Sequence, residues 1–290
     1  VVYYDQASPG QEMAVEVDDL RYRWHRMFSQ PRLRHTLSQA GGYWLKDDHD
    51  FRFNDADLTG DRKPSAETGI RIFREQAPIV DPEDENAVTY RTRRVSKELQ
   101  MWFLEGRDYR SPNTMPDGPD KTLWGDKQKA WLQQTLKASD ARFKLLVVPN
   151  PLVGPDKASK IDNHTNLGGF QHEAAEFFEW LTANEFSADE LFIVTGDRHW
   201  QYHSVHPSGF HEFSAGSISY ANAQRLIRPG DPKGTDPDAA ITQLFGSPRQ
   251  NGGFIHVEVM PASSSQAEFF KVRFFDVWGQ LLYTYSTDES

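Results

Sequence analysis

The sequence predicts a mixed α/β fold that ends in an antiparallel β part. Apolar strand-like segments alternate with helix-like segments over the first two thirds of the chain, whereas the last third carries strand-like segments alone. Aromatic residues make up 13% of the 290 residues, a share that suits a strand-rich or mixed protein better than a helical bundle. Short alternating strand and helix units predict a parallel sheet in the first part.

Helical spacing of apolar residues predicts four helices. The first is marked by Leu20, Trp24 and Met27 and is ended by the pair Gly41-Gly42. In the third, Asp126 is interpreted as the N-cap. The predicted helices cover residues 18–39, 67–76, 126–138 and 170–183.

Apolar runs and alternating patterns predict nine strands. The last of these read as hairpins, because turn-forming residues stand at 262–264 and at 278–279. The predicted strands cover residues 43–45, 88–95, 99–104, 143–148, 191–194, 210–218, 254–259, 269–275 and 281–285. The opening Val1-Val2-Tyr3-Tyr4 reads as the end of a buried strand whose beginning is expected upstream.

Composition excludes several classes of protein. The formal net charge of −10 argues against a stable nucleic-acid partner, which requires clustered Lys and Arg. The chain has no cysteine, so a disulfide scaffold, a zinc–thiolate site and a cysteine nucleophile are excluded. No apolar run is long enough to span a bilayer. Serine-nucleophile, P-loop and dinucleotide-binding motifs are also missing from the sequence.

Polar clusters follow three predicted strands. Asp47-Asp48-His49-Asp50 follows the strand at 43–45, Asn150 follows 143–148, and Gly196-Asp197-Arg198-His199 follows 191–194. Open α/β sheets bind ligands at the carboxyl ends of their strands, so these clusters are expected to converge. Carboxylate, amide and imidazole groups together predict a metal site, and two adjacent ions there would clamp a phosphate and activate a water.

Two of these polar clusters also have simpler, non-functional interpretations. The segment at 47–50 also fits an acidic turn, and Asn150 between two prolines fits a plain turn. Asn163, His164 and His172 are interpreted as a solvated loop and helix start rather than as metal ligands. The histidines at 203, 206 and 211 are interpreted as surface residues or satisfied core residues.

Four stretches resemble the alkaline phosphatase D-like (PhoD-like) branch of the metallophosphoesterases. They are 3–5 (YYD), 44–55 (WLKDDHDFRFND), 104–110 with 124–125 and 128–132, and 195–199 (TGDRH). The resemblance implies a four-layer α/β/β/α sandwich, built as a single domain over residues 1–290 that lacks its first strands. It also implies that further ligands, including a Gly-Asp pair, lie upstream of Val1, and that a chain without them binds metal incompletely.

The resemblance further implies the roles of individual residues. His49 is the histidine that assists the leaving oxygen, and Arg107 pairs with the phosphate together with Arg110. Asn54 is implied to contact substrate or metal. The implied metal ligands are Asp48, Asn150, Asp197 and His199, with Asn150 at a position where many relatives carry a histidine. Two or more ions, iron with calcium, and a periplasmic or extracellular location are likewise implied.

The function predicted from these features is hydrolysis of phosphate mono- or diesters by a metal-activated water. Two alternatives remain open at the level of the sequence: a non-catalytic metal- or phosphate-binding protein of the same fold, and a β-rich extracellular binding module. The substrate, the preference between monoester and diester, and the oligomeric state are not predicted.

Overall fold

Two β-sheets and five α-helices form the framework of the part of the chain that the computed structural model describes, namely residues 2–5, 13–81, 83–84 and 86–288. The helices are α1 Val17–Phe28, α2 Pro31–Gln39, α3 Ala66–Gln76, α4 Asp126–Ala138 and α5 Gln171–Ala183. The strands are β1 Arg91–Arg94, β2 Leu99–Phe103, β3 Phe143–Val148, β4 Leu191–Thr195, β5 Gln201–Val205, β6 His211–Ala215, β7 Thr242–Gly246, β8 Gly253–Met260, β9 Phe269–Asp276 and β10 Leu281–Ser286.

The larger sheet has the strand order β1-β2-β3-β4-β6-β5-β7. Strands β2, β3, β4 and β6 run parallel, and α4 and α5 make the crossovers from β2 to β3 and from β3 to β4. The predicted parallel sheet is therefore confirmed, while β1, β5 and β7 pair antiparallel. Because β2, β3 and β4 end at the same edge, the residues that follow them are brought together there.

Helices cover one face of the larger sheet and the smaller sheet covers the other. Trp102, Leu146 and Ile193 point toward α4 and α5, in a core that is wholly buried. On the opposite face Phe192 stacks on Phe270 of β9, with ring centroids 4.0 Å apart. Burial on both faces explains why β3 is a continuous apolar run rather than an alternating one. The result is an α/β sandwich, as the fold class predicted.

The smaller sheet, in the order β10-β9-β8, is antiparallel and made of two hairpins, as predicted. Asp276 ends β9 and its side chain accepts hydrogen bonds from the backbone N–H groups of Trp278 and Gln280. Gly279 has φ +80°, a conformation that glycine adopts without steric cost. The two turn signals at 262–264 and 278–279 thus fall between paired strands.

Four predictions of local structure are corrected. The helix predicted over 18–39 is two helices, because Pro31 lacks an N–H and begins a new one at its first turn. The N-cap of α4 is Gly125, and Asp126 is its first helical residue. Residues 43–45 form no strand, because their backbone does not pair with another strand. Tyr43 instead stacks its ring on that of Phe103. Strands β5 and β7 were not predicted.

The start of the chain packs against the segment that follows residue 45. Val1 lies outside the described residues, while Val2 and Tyr4 are buried without belonging to a strand. The backbone N–H of Tyr4 donates to the carbonyl of His49 at 3.2 Å, which fixes Tyr3 and Asp5 next to His49. None of the helices in the described residues is both long enough and apolar enough to cross a membrane.

Candidate active site

Residues 47–50 form a buried turn whose side chains hold its own backbone in place. Asp50 accepts a hydrogen bond from the N–H of Asp47 at 2.7 Å, and Asp48 accepts bonds from the N–H groups of His49 and Asp55. All four residues of the turn are buried. A solvated acidic turn, the simpler interpretation of this segment, does not fit that burial.

Two further strand exits bring polar side chains to this turn. Asn150, after β3, donates from Nδ2 to Asp47 Oδ1 at 3.2 Å, and its Oδ1 is buried without a partner. Asp197, after β4, has φ +60°, a left-handed conformation in which Asp and Asn are several-fold enriched. Asn150 and Asp197, which follow strands, therefore converge with Asp47 and Asp48 as predicted, although the residues before Asp47 are not a strand.

Three carboxylates form an acidic cluster: Asp47, Asp48 and Asp197 each offer an oxygen, and these oxygens all lie within 4.8 Å of one another. Burial raises the pKa of Asp47 well above its usual value, and the charges of Asp48 and Asp197 raise it further against the effect of Arg107. Burial acts in the same direction on Asp197, but Arg198, Lys160 and Arg107 outweigh it, so the pKa of Asp197 lies well below its usual value. Buried oxygens this close together suit the binding of a hard cation. The unpartnered Oδ1 of Asn150 is a further oxygen that such a cation would bind.

Two buried arginines form ion pairs with carboxylates of the acidic cluster. Arg107, with no exposed surface, donates from Nη2 and Nε to Asp47 Oδ1 at 2.7 and 3.1 Å, and from Nη1 to the carbonyl of Ala56. Arg198 forms ion pairs with Asp197 and Asp156. The resemblance implied that Arg107 pairs with a phosphate, but its position among these acceptors favours a role in holding Asp47.

Replacing Arg107 by Met is expected to lower the free energy of unfolding by about 3–5 kcal/mol, because the buried carboxylate of Asp47 would lose its charged partner. Urea unfolding followed by circular dichroism measures the change. Arg142→Met is the matched control, since Arg142 is partly exposed where it pairs with Glu190 and Glu268, and its loss should cost less than about 1 kcal/mol. Equal losses in the two variants would contradict the role given to Arg107.

His49 is oriented by a carboxylate from the start of the chain. Its Nδ1 lies 2.6 Å from Asp5 Oδ1, and Asp5 Oδ2 accepts the backbone N–H of Asn54. Burial raises the pKa of Asp5, but the bonds from His49 and Asn54 outweigh it and the pKa is lowered, so Asp5 is a carboxylate and Nδ1 is the donor. The Nε2 atom is 4.0 Å from Asp48 Oδ2, beside the acidic cluster.

The other predicted residues occupy different environments. The side chain of Asn54 is exposed, and Arg110 is buried over the ring of Phe170 with its Nη2 bonded to the carbonyl of Asp162. Burial lowers the pKa of Arg110 to about 9, and nearby Arg107 lowers it as well. His199 is not among the clustered ligand atoms, and its Nδ1 is bonded to the carbonyl of Asn222.

A cavity of about 390 Å³ opens beside the acidic cluster. The acidic cluster, His49, Arg198 and His199 form one part of its wall. The remaining wall comes from Tyr3, Met27 and residues 216–219 with Asn222. The site is thus accessible from this cavity, while the buried Arg107 contacts Asp47 from within the protein.

Sequence reasoning missed several residues of this site. Asp47 lies in the predicted motif and directly precedes Asp48, but the resemblance implies only Asp48 as a ligand. Asp5 lies in the motif at 3–5 but has no predicted role, because its contact with His49 spans 44 positions of sequence. Asp156, which pairs with Arg198, carried no sequence signal.

The interpretation of Asn163 and His164 as a solvated loop is wrong, whereas His172 lies in the first turn of α5 and is partly exposed. Asn163 donates to Asp156 at 2.8 Å, and His164 is bonded to Glu173 at 2.8 Å, both in buried positions. His203 is a satisfied core histidine as predicted, because it lies within hydrogen-bond distance of Tyr283 and His211.

Comparisons with known proteins agree with this architecture. Residues 2–252 match the profile of a family described as PhoD-like phosphatase. A solved structure described as "Structure of PhoD" superimposes with a TM-score of 0.72 at 18% identity, which shows a shared fold. The match covers 98% of this chain but only 60% of the chain in that structure. A search of curated proteins found no match.

Proposed function

Since this chain belongs to the PhoD-like phosphatase family, we propose that it hydrolyses phosphate mono- or diesters with a metal-activated water. The observation that carries the proposal is the acidic cluster: three buried carboxylates with oxygens within 4.8 Å of one another, at the edge of a cavity. Arg107 and Arg198 offset the charge of Asp47 and Asp197 in part, and a bound cation would offset the rest.

Asp47, Asp48 and Asp197 are the residues we assign as metal ligands, with Asn150 and His199 as further ligands. When bound, the metal ions supply Lewis acidity toward a phosphoryl oxygen and lower the pKa of a bound water. The donors are oxygens and one imidazole in a chain without cysteine, a set that suits hard cations such as calcium and ferric iron. Iron and calcium are therefore the first ions to test.

The chain's own residues position the reacting groups. Arg107 and Arg198 hold Asp47 and Asp197 in place through charged hydrogen bonds, so that neither carboxylate must reorient during the reaction. Asp5 accepts from Nδ1 of His49, which turns Nε2 toward the cavity. A protonated His49 could then deliver a proton from Nε2 to the departing oxygen of the substrate.

The raised pKa of His49 suits that role. Burial lowers it, but the hydrogen bond to Asp5 and the charge of Asp48 raise it more, which favours the protonated ring that a general acid requires. Asn54, which is exposed, and Arg110, which is buried, are further proposed substrate contacts, and both lie outside the lining of the cavity. Members of this family are often secreted, and we propose a location outside the cytoplasm for this chain as well.

The test combines metal analysis with turnover. The purified chain is assayed with p-nitrophenyl phosphate and bis(p-nitrophenyl) phosphate before and after treatment with a chelator, and its metal content is measured at each stage. We expect hydrolysis that is lost with the metal and restored by added iron and calcium.

Two outcomes would contradict the proposal. Stoichiometric metal without hydrolysis of either ester would favour a non-catalytic binding protein of this fold. A chain that binds no metal under any loading condition would remove the basis for the assignment of Asp47, Asp48 and Asp197 as ligands.

A further inference from the structure

Part of the cavity wall near the acidic cluster is apolar. We call it the apolar wall and define it as Tyr3, Met27 and Ile218, all of which line the cavity. Ile218 is 80% exposed, and Tyr220 on the same loop is 68% exposed. Single exposed apolar residues are ordinary, but a group of them that lines a cavity beside a polar centre is typical of a ligand-binding surface.

The loop that carries Ile218 is fastened at both ends. At its start, Gly216 has φ +71° and a Cβ there would lie 2.7 Å from the side chain of Gln201, so only glycine fits. The carbonyl of Ser217 accepts the N–H of Gly253 at 2.7 Å. At its end, the carbonyl of Asn222 is bonded to His199. Ile218 is therefore presented by a loop tied to one of the proposed metal ligands.

The charges of the cavity limit the substrate to one anionic group. Arg198 is the one Lys or Arg among the residues that line it in the described part of the chain, and Arg198 is already paired with Asp156 and Asp197. The proposed metal ions and His49 would be engaged by the reacting phosphate, so the described lining residues leave no further cation for a second phosphate or a carboxylate on the substrate. The cavity volume of about 390 Å³ lies within the range of roughly 300–1,000 Å³ that encloses organic ligands.

We propose that the apolar wall binds the alcohol part of the substrate, and that this part is a flat or branched apolar group with no second anionic group. The inference rests on the proposed phosphoesterase function, since it assigns the remainder of the substrate to a surface beside the same site. Apolar surface removed from water would then supply substrate affinity that the polar groups of the site do not.

The experiment compares three monoesters whose alcohols have similar acidity: 2-phenylethyl phosphate, ethyl phosphate and 2-carboxyethyl phosphate. The metal-loaded chain should give a kcat/KM about tenfold or more higher for the phenylethyl ester than for the ethyl ester, with the carboxyethyl ester lowest. Ile218→Asn should reduce the ratio of phenylethyl to ethyl by several-fold. Trp278→Gln is the control, since Trp278 is 88% exposed at the turn after β9 and does not line the cavity, and the ratio should not change.

A binding measurement separates this inference from the proposed function. Phenylphosphonate should bind the metal-loaded chain more tightly than methylphosphonate in calorimetry, whether or not the chain turns over any ester. Tighter binding without turnover would support the apolar wall and contradict the phosphoesterase. Turnover with equal kcat/KM for the phenylethyl and ethyl esters, a preference for the carboxyethyl ester, or equal phosphonate affinities would overturn the inference.

Discussion

Asp197→Asn is expected to remove metal from the site and to lower phosphoester hydrolysis by more than about 100-fold. Asp197 is one of three clustered carboxylates, so its loss removes a proposed ligand and one negative charge. Loss of a residue that only supports a metal ligand typically costs about 10- to 100-fold, and loss of the ligand itself should cost more. Asn is the suitable replacement because it tolerates the left-handed backbone at this position and keeps the shape of the side chain.

Metal content and hydrolysis rate are measured on the same preparations, with thermal unfolding to show that the variant is folded. Asp276→Asn is the control, because Asp276 is also buried but caps a turn of the smaller sheet and is outside the acidic cluster. The control should keep its metal and its activity. An Asp197→Asn variant with unchanged metal content would exclude Asp197 as a ligand.

His49→Ala is expected to keep the metal and the fold while lowering kcat by about 10²- to 10⁴-fold, the range typical of a lost general acid. The imidazole lies beside the acidic cluster but is engaged by Asp5 through Nδ1, which leaves Nε2 as the atom that can act on substrate. The measurement is kcat for an alkyl phosphate, whose poor leaving group needs protonation, against kcat for p-nitrophenyl phosphate, whose leaving group needs it less.

The loss should be larger for the alkyl ester. Asp5→Asn should give a smaller loss of the same kind, because the ring would remain but its orientation and its protonated form would be less favoured. If His49→Ala loses bound metal instead, His49 is a ligand and the general-acid role is wrong. Equal losses for the two esters would also contradict proton delivery.

Much of the fold could be predicted because apolar periodicity follows burial. The segment 143–148 is buried on both faces and reads as a continuous apolar run, so β3 was predicted with its observed bounds. Strand β5 begins two residues after His199 and carries Gln201, His203 and Ser204, all buried but polar, so it lacks the apolar signal. Residues 43–45 carry that signal and yet are not a strand, because their aromatic side chains pack on neighbours and the backbone does not pair.

The part of the site that follows the ends of parallel strands could be predicted from the sequence. The placement of Asn150 and Asp197 follows from the parallel order of β3 and β4, which the alternation of strands and helices in the sequence indicates. Asp48 reaches the same place without a preceding strand, so its predicted position was right for a reason that does not apply. The environment of Arg107 does not follow, because a guanidinium after a buried strand can point to solvent or back into the protein with the same sequence. The pairing of Asp5 with His49 depends on how the first residues fold onto the turn, and nothing local encodes that.

The buried pairs of Arg107 with Asp47 and of Arg198 with Asp197 bear on how the protein can be handled. Because Arg107 and Arg198 are internal counter-ions of these carboxylates, we expect the pocket to keep its shape without an added ion, unlike a small zinc-nucleated domain. The metal ions would then bind to a site that is already folded, rather than being required for folding. The bound ions could therefore be exchanged while the protein stays folded. Cobalt or manganese could be bound at the site as a spectroscopic reporter, and its binding could be followed by titration.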